Sequence, residues 1–212
     1  MVEGMATASK AVLREQLLAA RRLVADDVRA AEARMLTKQL ELHLELAVSS
    51  GSTVCAYVPT GTEPGSIEML DILLRRSGRV LLPVARTTGP GNGGLPLPLR
   101  WGEYRPGALT RGPWGLLEPP GPALPASAMA GAALVIVPAL AVDRRGVRLG
   151  RGRGFYDLAL AGRDPQTRLV AVVRDAEFLD ELPAEQHDVP MTHVITPRRG
   201  LITLPSHGHD GE

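Results

Sequence analysis

From Lys10 onward the chain repeats apolar residues at helical spacing, with Leu13, Leu17, Ala20 and Val24 recurring on one face. That recurrence predicts an amphipathic helix. Ser9 stands at the N-cap position, where its hydroxyl can accept from the first unpaired amides. A second helix is predicted from Asp26-Asp27 to about residue 48, with Leu36, Leu40, Leu44 and Ala47 on one face and Ser49-Ser50-Gly51 ending it. The period then changes. Residues 53–58 form a short apolar run bounded by turn residues, which predicts a buried strand; a helix at 66–76 separates it from a similar run at 79–84. A helix between two buried strands predicts a parallel pair joined by a right-handed crossover.

Past residue 84 the pattern breaks up. Residues 87–95, rich in glycine with Pro90 and Asn92, read as a mobile excursion rather than a domain boundary, because too little chain precedes them for a second core. Residues 97–122 alternate short strands with turns, and 119–131 are a connector. A central strand is predicted at 132–137, further strands at 168–173 and 192–196, and a loop at 184–189. Residues 1–8 and 205–212 are expected to be frayed tails.

The strand at 132–137 runs into a stretch where Gly146, Gly150, Gly152 and Gly154 alternate with Arg148, Arg151 and Arg153, followed by Phe155-Tyr156-Asp157. Glycine lets a backbone approach a ligand closely, so that successive N–H groups converge on an anion. A helix predicted over 155–161 would point its first amides at the same anion. No Gly-Lys-Ser/Thr follows, and the glycines do not complete G-x-G-x-x-G, so neither of those nucleotide motifs is present. The pattern alone fits a phosphate cradle, a glycine-rich hairpin with solvated arginines, or an arginine-glycine segment that binds nucleic acid.

Composition narrows the choice. The 212 residues carry 24 basic and 23 acidic side chains, a net charge of +1, which gives no global attraction to nucleic acid or an anionic membrane. Apolar residues make up 44% of the chain but only two Trp, three Tyr and two Phe are aromatic, so the core must be aliphatic. Trp101, Tyr104, Trp114, Phe155 and Tyr156 cluster where a flat heterocycle could be sandwiched, although core packing is an equal reading for each. The single cysteine, Cys55, lies in an apolar strand and reads as a buried inert thiol in a reducing compartment. No apolar signal core or membrane-length stretch is seen, so a cytoplasmic protein is expected. His43 has no second ligand at metal spacing and reads as an ordinary histidine.

The run from Val137 to Asp157 resembles the signature of the 5-formyltetrahydrofolate cyclo-ligases. The resemblance extends from Lys10 to about Thr196, through Lys10 and Arg14, the segment 57–63, Glu118-Pro119, and Pro183-Ala-Glu-Gln-His187-Asp188. It implies ATP- and Mg²⁺-dependent closure of 5-formyltetrahydrofolate to 5,10-methenyltetrahydrofolate, with release of ADP and phosphate. ATP would be bound by Lys10, Arg14, Arg148, Leu149, Gly150, Arg151, Gly152, Arg153, Gly154, Phe155 and Tyr156, with Lys10, Arg148 and Arg151 acting in catalysis. Val58, Glu63 and Trp114 would bind the folate, and Asp157 and Asp188 the magnesium.

From spacing alone, Lys10, Arg14 and Arg21 form a stripe that could simply be solvated, Glu63 could be a loop carboxylate in water, and Asp157 a helix N-terminal charge. Three departures from the family pattern stand out: Ala139 and Val142 replace a common Gly and Phe, and Phe155 replaces the first of two tyrosines. The competing functions are a nucleic-acid-binding module and a sugar-phosphate or coenzyme A enzyme. Pattern and resemblance together predict an α/β protein, a single three-layer α/β/α domain over residues 1–212 with a mostly parallel central sheet. The strands near 54, 80, 135 and 170 should be neighbours. A monomer or weak dimer without nucleic-acid or membrane partners is expected.

Overall fold

The computed structural model describes residues 9–43, 48–89, 94–185 and 188–205. The expected tails at 1–8 and 206–212, the helix positions Leu44 and Ala47, the centre of the 87–95 excursion and His187 lie outside the described residues. Among the described residues four α-helices form: α1 (Lys10–Leu23), α2 (Asp26–His43), α3 (Ile67–Ser77) and the short α4 (Phe155–Leu160). Ser9 caps α1 as expected, its hydroxyl accepting from the Val12 amide. Asp26 and Asp27 occupy the first turn of α2, where carboxylates favour the unpaired amides.

The main sheet contains β1 (Thr53–Cys55), β2 (Arg79–Val84), β3 (Arg100–Glu103), β6 (Ala132–Pro138), β9 (Arg168–Val172), β11 (His193–Thr196) and β12 (Gly200–Thr203). Their order is β12-β11-β9-β6-β1-β2-β3. The strands expected near 170, 135, 54 and 80 are therefore consecutive neighbours, and all their pairings are parallel. Antiparallel β3 and β12 close the two edges. β1 is shorter than the 53–58 expected, because the chain leaves the sheet after Cys55 to begin the loop that carries Glu63. β12 answers to no sequence expectation; it folds back on β11 through a turn at 197–199.

Strand residues alternate between two aliphatic cores, as a sheet buried on both faces requires. Val54, Val80, Leu82, Leu134, Ile136 and Val172 face α2 and α3. Cys55, Leu81, Val135, Val137, Leu169 and Ala171 face the opposite layer, with Ala159 and Leu160 of α4. That second layer is thin, since α4 has only six residues. A smaller sheet, β10-β7-β8, comprises β7 (Ala141–Asp143), β8 (Arg148–Leu149) and β10 (Phe178–Leu179). Leu13 and Leu17 of α1 pack on its core cluster of Ala141, Val147, Leu149 and Leu182. The first helix therefore leans on the hairpin that leads into the glycine tract, and places its polar face beside it.

For two of the aromatics the structure decides in favour of core packing. Trp101 is wholly buried in one core and Tyr104 in the other, donating to Asp71 at 2.7 Å. Neither has a free face for a ligand. Burial pushes the Cys55 thiol up to about 12, so it stays protonated and inert at neutral pH. Val142, standing where the family has Phe, is buried in the same core as Cys55.

Candidate active site

The chain passes from β1 through α3 to β2 on one side of the sheet, and from β6 to β9 on the other. In an open α/β sheet the crevice outside the carboxyl ends of strands at such a reversal is the usual ligand site. A cavity of about 340 Å³ lies there, bounded by residues after β1 (Tyr57, Val58, Glu63), after β2 (Ala85) and after β6 (Ala139, Leu140). Trp114, Glu118 and the segment 150–157 complete it.

Glu63 is held with one oxygen accepting from the Thr60 amide (2.9 Å) and hydroxyl (2.8 Å), and the other 3.1 Å from Arg151 Nε. Its side chain is mostly buried and lines the cavity, so it is no loop carboxylate in water. Tyr57 and Tyr156 stand nearby. Burial, reinforced by the Glu63 carboxylate, pushes both phenols well above their usual range, leaving them neutral donors. Tyr57 donates to the Pro64 carbonyl at 2.6 Å, whereas the buried Tyr156 hydroxyl has no hydrogen-bond partner among the described residues. A buried hydroxyl left unpaired is costly, and facing a ligand cavity is one of the few ways to recover the bond.

Trp114 sits in a turn at φ 61°, a left-handed conformation strained for a bulky side chain. That turn directs the indole to the cavity, where the Arg153 guanidinium stands 5.8 Å over the ring and Phe155 lies 6.4 Å away, tilted by 42°. Trp114, Phe155 and Tyr156 thus form the aromatic wall. Phe155, standing for a family tyrosine, contributes area without a hydroxyl.

The glycine tract lines the same cavity. Arg148, nearly buried, donates to Asp157, and its guanidinium lies 5.8 Å from the Tyr156 ring centroid. A Cβ on Gly150 would stand 2.7 Å from Arg148 Nη1, so a larger residue there displaces the arginine. Gly152 adopts φ 85°, and a Cβ on it would press on Arg14 at 3.3 Å. Of the expected ATP-binding residues, Leu149 places its side chain in the core of the small sheet. Only its backbone follows the tract.

The basic stripe of α1 is not a solvated face. Lys10 Nζ is 2.8 Å from Asp188 and 3.3 Å from Glu185, and Arg14 Nε donates to the Gly150 carbonyl at 3.0 Å. Neither lines the cavity; Arg14 braces the glycine tract that does, and Lys10 holds Glu185 and Asp188. Asp157 lines the cavity and Asp188 does not, each being paired with its own cation.

Sequence reasoning missed two carboxylate–arginine clamps. Glu118 lines the cavity and takes both Arg86 nitrogens, at 2.6 and 3.0 Å. Arg21, buried, donates to both oxygens of buried Glu177 at 2.7 and 2.8 Å and to the Ala139 carbonyl at 2.6 Å. The seven-residue step from Arg14 to Arg21 was the available signal for the second. Nothing in the sequence marked Glu177 as its partner.

The chain is 54% identical over 200 residues to a 5-formyltetrahydrofolate cyclo-ligase of Mycolicibacterium smegmatis, covering 94% of this chain and 100% of that one. It is 29% identical over 149 residues to the Escherichia coli protein of the same name, covering 69% and 79% of the two chains. The fold matches solved methenyltetrahydrofolate synthetases from Aquifex aeolicus (TM-score 0.71, 23% identity, covering 95% of this chain and 99% of that one) and Mycoplasma pneumoniae (TM-score 0.67, 16% identity, covering 88% and 98%). The family model for 5-formyltetrahydrofolate cyclo-ligases matches residues 6–197, which takes in the cavity, the glycine tract and the basic face of α1 together, and the chain belongs to that family of enzymes.

Proposed function

We propose that the protein converts 5-formyltetrahydrofolate, with ATP and Mg²⁺, to 5,10-methenyltetrahydrofolate, ADP and phosphate. One observation carries the reading: a single cavity is lined both by a carboxylate and aromatic side chains and by a glycine-arginine tract. A heterocycle and a phosphate chain can therefore meet in it. Glu63 accepts from ring N–H groups of the folate, while Val58, Trp114 and Phe155 pack against the ring. Arg148, Arg151 and Arg153, with Lys10 and Arg14 behind them, neutralise phosphate charge beside the amides of Gly150, Gly152 and Gly154.

The formyl group explains the need for ATP. Its carbonyl is a poor electrophile, and its oxygen cannot leave as oxide. Transfer of the γ-phosphoryl group to that oxygen releases ADP; N10 then attacks the activated carbon and gives up its proton, and the carbon–oxygen bond breaks as phosphate departs with that proton. The protein's part is positioning and charge neutralisation. Arg148 and Arg151 are paired with Asp157 and Glu63, so the incoming phosphate exchanges one anionic partner for another at each arginine.

The donor set suits a magnesium ion carried in on phosphate. Among the described residues no three His, Cys, Asp or Glu side chains gather into a cage, and Mg²⁺ takes one or two carboxylates together with phosphate oxygens and waters. Asp157 and Asp188 would hold it, and the ion would neutralise charge on the transferred group.

Calorimetric titration of 5-formyltetrahydrofolate, Mg-ATP and RNA into the purified protein tests the reading. Binding of the first two, with folate binding weakened at least roughly tenfold in Glu63→Gln, is the expected result. Binding of RNA alone, or folate binding indifferent to Glu63, overturns it.

A further inference from the structure

Arg21 is the least exposed of the charged side chains along the cavity. Its Nε–H and both Nη2 hydrogens are engaged, by the two Glu177 oxygens and the Ala139 carbonyl. Glu177 is fixed in turn, accepting from the Arg174 amide at 2.9 Å. A two-pronged clamp of this kind sets the guanidinium plane as well as its position. Among the described residues nothing accepts from Nη1, and Arg21 borders the cavity beside Tyr57 and Ala139. The Arg21 charge draws the Tyr57 phenol down while Glu63 raises it, so cation and carboxylate act on the same part of the cavity.

A fully hydrogen-bonded structural arginine would leave no edge toward a ligand space. Here a rigid donor and a rigid acceptor border one apolar slot. A pterin ring has the matching groups: N–H donors at its pyrimidine edge and, adjacent to them, a carbonyl oxygen at position 4. We propose that Arg21 is a folate-contacting residue, its Nη1 donating to the 4-oxo oxygen while Glu63 accepts from the neighbouring N–H groups, with Glu177 as the positioning residue. The inference rests on the cavity being the folate site.

The test compares binding of 5-formyltetrahydrofolate with that of a 2,4-diaminopteridine folate analogue, which carries an amino group where the oxygen was. ATP binding is measured beside it. The double variant Arg21→Met/Glu177→Gln avoids stranding a buried charge. The wild-type protein should prefer the 4-oxo ligand; the double variant should lose roughly tenfold or more of that preference, the size of one charge-assisted hydrogen bond, with ATP affinity unchanged. Glu177→Gln alone, keeping the donor but loosening its plane, should lie between. Should the double variant not fold, Arg21→Lys reads the same preference with the charge retained.

A variant that keeps the full 4-oxo preference overturns the role of Arg21, as does one that loses ATP affinity instead, which would turn the guanidinium toward phosphate. A wild-type protein that binds neither folate overturns the cavity assignment itself, and this inference with it.

Discussion

At the scale of single residues, the side chains that the account depends on most are cations held by carboxylates they must share with a ligand. Lys10 is the clearest case, paired with Asp188 and Glu185 at the edge of the site. Lys10→Ala should lower turnover with ATP by roughly 30- to 1000-fold, the worth of about 2 to 4 kcal/mol of transition-state charge stabilisation. Folate affinity should hold, and stability should drop by only about 1 to 2 kcal/mol for a partly buried pair. Steady-state kinetics in ATP, folate calorimetry and a denaturant melt separate the three effects, and an unchanged turnover would return Lys10 to a surface role. Residues inside a contiguous motif were legible in the sequence: Gly150, Gly152 and Gly154, the arginines between and before them, and Glu63 border the cavity. Residues whose meaning depends on a distant partner were not. Arg21 and Glu177 are 156 positions apart, and no spacing rule joins them. The Leu149 side chain and the aromatic rings of Trp101 and Tyr104 went to the cores, since hydrophobic side chains serve packing and binding with the same chemistry.

At the scale of elements, the β7–β8 hairpin is what aims the glycine tract. Asp143, fully buried in β7, accepts from the amides of Arg145 (2.9 Å), Val147 (2.9 Å) and Leu182 (3.0 Å) and from Arg145 Nε (3.1 Å). It ties the hairpin to the segment that leads toward Asp188. An amide in its place turns a donor toward donors, so Asp143→Asn should cost about 2 to 4 kcal/mol. The urea midpoint should fall with no change in slope. The sequence read the Arg148 region as a tract; the pairing of β7 with β8, and of β10 alongside, is set by contacts that periodicity does not encode. The same elements frame the magnesium proposal. Asp157 on α4 and Asp188 after the 183–185 segment are each held by a cation. If both serve one ion, Asp157→Asn and Asp188→Asn should each raise the magnesium needed for half-maximal activity, and the double variant should fall short of the summed effects. Unchanged magnesium dependence in both single variants would reject the shared ion.

At the scale of the whole molecule, the fold places every element of the site at one end of a parallel sheet. That β9, β6, β1 and β2 are neighbours was legible because a buried parallel strand is a continuous apolar run, and four such runs separated by helices or long connections leave few arrangements. The antiparallel edges β3 and β12 were less so: short edge strands carry little pattern. No described helix is long and apolar enough to cross a membrane, and the local basic tract sits in a chain of net charge +1, so its positive charge acts on what enters the cavity rather than on a distant polyanion. The central claim is that this cavity couples phosphoryl transfer to closure of the folate ring. Following methenyl product by absorbance and ADP by a coupled assay, in one reaction of purified protein with 5-formyltetrahydrofolate and Mg-ATP, tests it most directly. The account predicts methenyl product and ADP in equal amounts, and neither when ATP or the folate is left out; methenyl product without ATP, or ADP release indifferent to the folate, would contradict it.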